Sequence, residues 1–214
     1  MSPCSCCSAY DDVFDEKQAR KDAKRYRTKG LDKAGARIVG FLTDRGVAGD
    51  TVLEVGGGVG AIQIELLKSG AARATNVDLS HAYDKQAAAL LAEAHVEGRI
   101  QRRIGDFVEL ADQVEPADDV VLHRVVCCYG DVDALVGAAG EHTRRRLVLT
   151  YPPDHVFARV FVAAVNLVMR LRRSEFRTYV WPIPSIVRAA EAQGLRLVTE
   201  ERASPVWRLA AFER

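Results

Sequence analysis

Residues 51–60 read TVLEVGGGVG, and the fold turns on them. A short run rich in Val and Leu suits a buried strand. It passes directly into alternate glycines at Gly56, Gly58 and Gly60. Glycine admits the positive-φ turns that reverse a chain after a strand and lets a ligand approach the backbone. The apolar stretch 61–68 then reads as a helix closed by Ser69-Gly70, so the segment is strand, glycine loop, helix. The first amides of such a helix point outward and offer a polar cradle to part of a nucleoside ligand.

Outward from this unit the alternation continues. Strands are expected at 74–77, 99–104, 119–126 and 146–150, with helices at 81–95, 132–139, 154–173 and 186–193. Strands alternating with helices imply a parallel sheet covered on both faces. The last two strands, 195–200 and 206–212, are joined by too few residues for a helical crossover and must pair antiparallel. Upstream, 11–29 reads as a charged helix or lid ended by Gly30, and 34–43 as a shorter helix. The expected organisation is an N-terminal extension, 1–32, on one α/β domain, 33–214, whose doubly wound sheet is mostly parallel with an antiparallel C-terminal strand.

Two further acids stand at strand ends. Asp78 ends the second strand, where a doubly wound sheet presents a carboxylate to ribose hydroxyls. Asp106 ends the third, beside Phe107; an aromatic ring that stacks and a carboxylate that accepts from an exocyclic amine suit adenine. Together with the glycine loop they point to an adenosine-containing ligand. A nicotinamide dinucleotide is the competing ligand, because Gly56, Gly58 and Ala61 also fit its fingerprint. The long helical N-terminal part, Glu54 two residues before the first glycine and the terminal hairpin argue against it.

The motifs EVGGGVG, NVDL and GDF resemble the first three motifs of class I S-adenosylmethionine-dependent methyltransferases, over roughly residues 33–214. The resemblance implies a Rossmann-like, seven-stranded sheet with S-adenosyl-L-methionine as cofactor. It implies that Gly56, Gly58 and Gly60 hold the methionine part, that Glu54 organises the loop, that Asp78 with Leu79 meets the ribose, and that Asp106 with Phe107 meets the adenine. His123 is expected beside the cofactor. The segments HRVVCCY and Arg25-Tyr26-Arg27, and the C-terminal helix–WPIPS–helix, resemble the magnesium-protoporphyrin O-methyltransferases, which methylate a propionate carboxylate. That group carries His-Tyr-Pro where this chain has Cys128-Tyr129-Gly130, and Asp in place of His123. The catalytic candidates are His123 (orienting the acceptor or acting as base), Tyr26 on a closing lid, and Cys128. The acceptor is expected to be a small, anionic molecule.

Composition bounds the alternatives. The 214 residues are 48% apolar and 28% charged with a net charge of +1, an ordinary globular balance. Bulk charge gives no sign of a nucleic-acid binder. The charge is nevertheless uneven: net +2 over residues 1–50, −8 over 51–143 and +7 over 144–214. The basic last third, with Arg170, Arg172, Arg173 and Arg177, is where an anionic acceptor is expected. No signal-peptide pattern is visible, so a cytoplasmic location and five reduced cysteines are expected. The apolar run Val156–Leu171 is too short and polar to span a bilayer, and reads as a buried or interfacial helix, with peripheral membrane contact through 154–173 as an expectation. Cys4, Cys6 and Cys7 are not at zinc spacing, and no metal is expected. Two alternatives remain: thiol-assisted methylation of a metalloid through Cys4, Cys6, Cys7, Cys127 and Cys128, and a non-catalytic, cofactor-binding regulator.

Overall fold

The computed structural model describes Tyr10 and residues 13–214. Helices α1 (Glu16–Lys29) and α2 (Lys33–Asp44) precede the sheet. The body follows as β1 (Thr51–Val55), α3 (Ala61–Lys68), β2 (Arg73–Asp78), α4 (Asp84–Glu93), β3 (Ile100–Ile104), the single turn α5 (Phe107–Leu110), β4 (Ala117–Leu122), α6 (Val132–Glu141) and β5 (Thr143–Tyr151). Then come α7 (Val156–Leu171), α8 (Ile183–Glu191), β6 (Arg196–Ser204) and β7 (Trp207–Glu213). The seven strands run β3-β2-β1-β4-β5-β7-β6, all parallel except β7, which pairs antiparallel with both neighbours. This is the sheet the sequence implied, with its last strand placed inside the edge.

The strand order reverses between β1 and β4, so a crevice opens above their carboxyl ends. Apolar residues of β1, β4 and β5 fill both faces; Leu53, Val120, Val148 and Leu149 are fully buried. At the opposite, amino end of these strands lies a buried ion network. Arg146 Nε donates to Asp119 Oδ1 at 2.6 Å, and its guanidinium also meets Asp50. Burial of Asp119 pushes its carboxyl up to about 6 although Arg146 opposes it. The acids and bases pair here, so this cluster reads as structural.

Several boundaries differ from expectation for local reasons. Helix α1 begins at Glu16, not residue 11, because Asp15 caps it by accepting from Gln18 N. The stretch 81–95 divides into a 3₁₀ turn at His81–Tyr83 and α4. β4 stops at Leu122, the last residue paired with β5, and Arg124 then takes φ +63° and turns the chain away. The reading of 154–173 as a buried helix is corrected: α7 contains no buried residue, and Phe157 is 83% exposed. No helix among the described residues is long and apolar enough to cross a membrane.

Candidate active site

The carboxyl ends of β1, β2, β3 and β4 surround one cavity of about 430 Å³. Its floor is the glycine loop. Gly56, Gly58 and Gly60 all have positive φ, at +67°, +54° and +79°. The central glycine, Gly57, is under a steric demand of its own. A β-carbon there would lie 2.5 Å from both Asn76 Oδ1 and Gln63 Nε2. Asn76 Oδ1 accepts from Gly57 N at 3.0 Å, so β2 holds the loop at this point.

Beneath Gly57 sits a buried polar cluster of Glu54, Gln63 and Asn76. Glu54 Oε2, both amide atoms of Gln63 and Asn76 Nδ2 have no hydrogen-bond partner among the described residues. Burial pushes the Glu54 carboxyl up to about 7, the Asp78 charge adds to this, and Gln63 and Arg102 oppose it. Arg102 also donates to Gly58 O at 3.0 Å and pairs with Asp84. The loop is thus gripped by Asn76, Asp78 and Arg102. Neither Gly57, Gln63, Asn76 nor Arg102 was singled out from sequence. The run of three glycines was a usable signal for Gly57; Arg102 gave none.

Asp78 has two backbone partners. Its Oδ2 accepts from Gly58 N at 2.8 Å and its Oδ1 from Ser80 N at 3.2 Å. Burial raises its pKa, and these amides oppose the rise. Leu79 lines the cavity beside it. Asp106 caps α5 through Val108 N at 2.9 Å, and both its oxygens accept from Tyr129 Oη at 3.1 Å. The expectation of a stacking Phe107 ring needs correction. Phe107 borders the cavity, but it is buried and its ring packs edge-on against His142 at 5.4 Å. The core claims the ring because α5 lies against α6, which His142 follows.

The loop after β4 carries the chemistry-bearing side chains. Val125 lies over Gly56, whose missing side chain makes the room: a β-carbon would sit 2.6 Å from Val125 Cγ2. His123 Nδ1 is 3.0 Å from Thr150 Oγ1, and its Nε2 is 3.6 Å from Asp32 Oδ1. Burial, then the charge of Arg25, pushes His123 down to about 4, so the ring is neutral at pH 7. The Nε2–Asp32 separation is too long for a hydrogen bond, so Thr150 is the closer partner of the ring. Asp32, the cap of α2, also receives Arg124 and Arg25, the latter at 3.2 Å. Asp22 also lines the cavity and acts on Arg124, so two carboxylates stand against the two guanidiniums in this corner.

Tyr26 borders the cavity, and its hydroxyl donates to Glu65 on α3. The bond ties α1 to α3. Cys128 also lines the cavity, with its Sγ 3.6 Å from Cys127 Sγ. Their mutual hydrogen bond lowers Cys127 and raises Cys128. Cys4, Cys6 and Cys7 lie outside the described residues, and the described residues contain no cluster of metal-binding side chains. The arginines expected to meet the acceptor are elsewhere: Arg170, Arg172 and Arg173 are exposed at the end of α7, and Arg177 donates to the carbonyls of Ser174 and Phe176. Tyr10 and Phe14 line the cavity and pack against Phe176, with the Tyr10 and Phe176 rings 5.5 Å apart.

No family model and no curated protein matches the chain in sequence. Solved structures do match in shape. Magnesium protoporphyrin IX methyltransferase (ChlM) from Synechocystis PCC 6803, with bound SAH, superposes with a TM-score of 0.75 at 19% identity, over 97% of this chain and 99% of that one. An O-methyltransferase family 2 protein from Planctomyces limnophilus in complex with apigenin gives 0.61 at 19% identity, over 86% and 62%. Human N-acetylserotonin methyltransferase in complex with SAM gives 0.66 at 13% identity, over 96% and 58%. The chain has the class I methyltransferase fold. At these identities the likeness is one of architecture.

Proposed function

We propose that this chain is an S-adenosyl-L-methionine-dependent methyltransferase acting on a small anionic acceptor. The observation that carries the reading is the convergence of the glycine loop, Asp78 and Asp106 on one cavity at successive strand ends. The residues present fit the cofactor. Gly56, Gly57 and Gly58 present no side chains to obstruct it, and Asp78 and Asp106 keep acceptor capacity beyond the bonds they already make. Gly56, Gly58 and Gly60 would border its methionine part, Asp78 and Leu79 its ribose, and Asp106 its adenine. When bound, S-adenosyl-L-methionine supplies an electrophilic methyl group on a sulfonium.

An acceptor carboxylate is favoured by two features. Arg25 and Arg124 line the cavity beside Asp32 and Asp22, and Arg124 Nε has no hydrogen-bond partner among the described residues, so the guanidiniums keep donors free for an acceptor carboxylate. His123 is neutral at pH 7, and with its pKa held down to about 4 it is a poor base for a hydroxyl or amine acceptor. An ionised carboxylate needs no base, whereas a hydroxyl or amine does. Tyr10 and Phe14 make part of the cavity wall apolar, and a site with less water strengthens the attraction between carboxylate and sulfonium. In this reading residues 1–32 are a cover for the domain 33–214, and Tyr26 fastens that cover.

The test is transfer of a radiolabelled methyl group from S-adenosyl-L-methionine to a propionate-bearing metalloporphyrin, with its dimethyl ester as control. Labelling of the free acid alone supports the reading. Labelling of neither, with intact cofactor binding by calorimetry, removes the carboxylate acceptor. Absence of cofactor binding removes the methyltransferase.

A further inference from the structure

Helix α7 stands apart from every other helix in its exposure. Its sixteen residues span about 24 Å. Ala158, Val162, Val165 and Met169, at helical spacing, are half-buried against the protein. The other side carries Val156, Phe157, Val160, Phe161, Leu167 and Leu171, all between 57% and 83% exposed. The helix is held by Asn166, whose amide exchanges two hydrogen bonds with the backbone of Thr178 at 2.8 and 2.9 Å. The Thr178 hydroxyl in turn donates to Cys127 O at 3.0 Å, on the loop that borders the cavity. The helix is therefore fixed in place, with Phe176 just beyond its end packed on the cavity-lining Tyr10 and Phe14, and none of the described residues buries its outer apolar face.

An exposed apolar face of this size needs an occupant. Residues 1–9 read MSPCSCCSA and residues 11–12 are both Asp, and with Met1 as their one large apolar side chain they do not match an apolar face of this size. Charge selects among the others. From His155 to Ser174 there is no Asp or Glu, while Arg159, Arg170, Arg172 and Arg173 are present. Among the described residues only Arg159 is answered locally, by Asp154 at 2.6 Å. A second copy of the helix would bring arginines to meet arginines. An anionic lipid surface answers both features: acyl chains receive the phenylalanines, and headgroup phosphates receive guanidiniums at the edge and end of the helix.

We propose that the outer face of α7 docks the protein on an anionic lipid bilayer, with the helix lying in the plane of the interface. Docking does not depend on the methyltransferase reading and is measured without cofactor or acceptor.

The experiment is co-sedimentation of the full chain with vesicles of phosphatidylcholine alone and of phosphatidylcholine with phosphatidylglycerol. Phe157→Ser/Phe161→Ser and Arg172→Gln/Arg173→Gln are compared with the unaltered protein. All four residues are already exposed, so thermal unfolding of both variants is expected to stay near that of the parent. Partition into the phosphatidylglycerol vesicles is expected to exceed that into phosphatidylcholine at least tenfold, and each variant is expected to lose at least fivefold. No binding by the parent, or binding that both variants retain, overturns the proposal. Light scattering without vesicles supplies the remaining arm: a dimer that Phe157→Ser/Phe161→Ser converts to monomer assigns the face to a second copy and also overturns it.

Discussion

Replacing Glu54 with glutamine isolates the buried acid under the glycine loop. Its carboxyl is held at about 7 in the folded protein, against about 4.5 for an ordinary glutamate, chiefly by burial. The folded state therefore keeps a proton that the unfolded chain releases. As pH rises from about 4.5 to about 7, the unfolded state gains the advantage of ionisation and stability falls. Two and a half pKa steps at about 1.4 kcal/mol each make the full loss about 3 kcal/mol. The glutamine side chain keeps the shape of the protonated acid and does not titrate. Other groups also titrate, notably Asp119 and His123, but they are common to both proteins and cancel in the difference. The measurement is urea unfolding of both proteins at pH 4.5 and pH 8. The stability of Glu54→Gln relative to the parent is expected to rise by about 3 kcal/mol between the two, or about 6–12 °C in Tm for a chain of this size. A difference that stays constant within about 1 kcal/mol would refute the argument and show that Glu54 is ionised throughout, stabilised by the polar groups around it.

Four further outcomes are expected. Asp78→Ala should weaken S-adenosyl-L-methionine binding at least tenfold by calorimetry, since it removes both an acceptor and the partner of Gly58 N; unchanged affinity would take Asp78 out of the site. Gly57→Ala should cost about 1–3 kcal/mol in denaturant unfolding, because its β-carbon falls within 2.5 Å of two buried amide atoms; a neutral result would mean that the Gln63–Asn76 cluster yields easily. His123 should remain neutral by NMR down to about pH 4, so the rate of methyl transfer should show no inflection from it between pH 6 and 7. Arg25→Gln/Arg124→Gln should raise the acceptor KM several-fold with cofactor affinity retained, whereas Arg173→Gln/Arg177→Gln should leave KM unchanged; the reverse pattern would move the acceptor to the end of α7.

The parallel sheet, its terminal hairpin and the three strand-end motifs were legible in the sequence. Each depends on local causes: buried strands read as short apolar runs, glycines permit the turns that follow them, and acids gather where a strand leaves the core. What those side chains do was decided at longer range. Asp78 is bound by an amide twenty residues away, and Arg124 meets Asp32 across ninety-two positions. The Phe107 ring looked like a ligand platform because its neighbour is an acid, but the core between α5 and α6 took it. The same distinction separates Arg170–Arg173 from Arg25 and Arg124: the basic count lay in the last third, while the cations that reach the cavity come from α1 and the loop after β4. Helix α7 shows the physical reason most directly. Hydrophobic periodicity records that a surface prefers to leave water, and only packing determines whether the protein itself provides the cover.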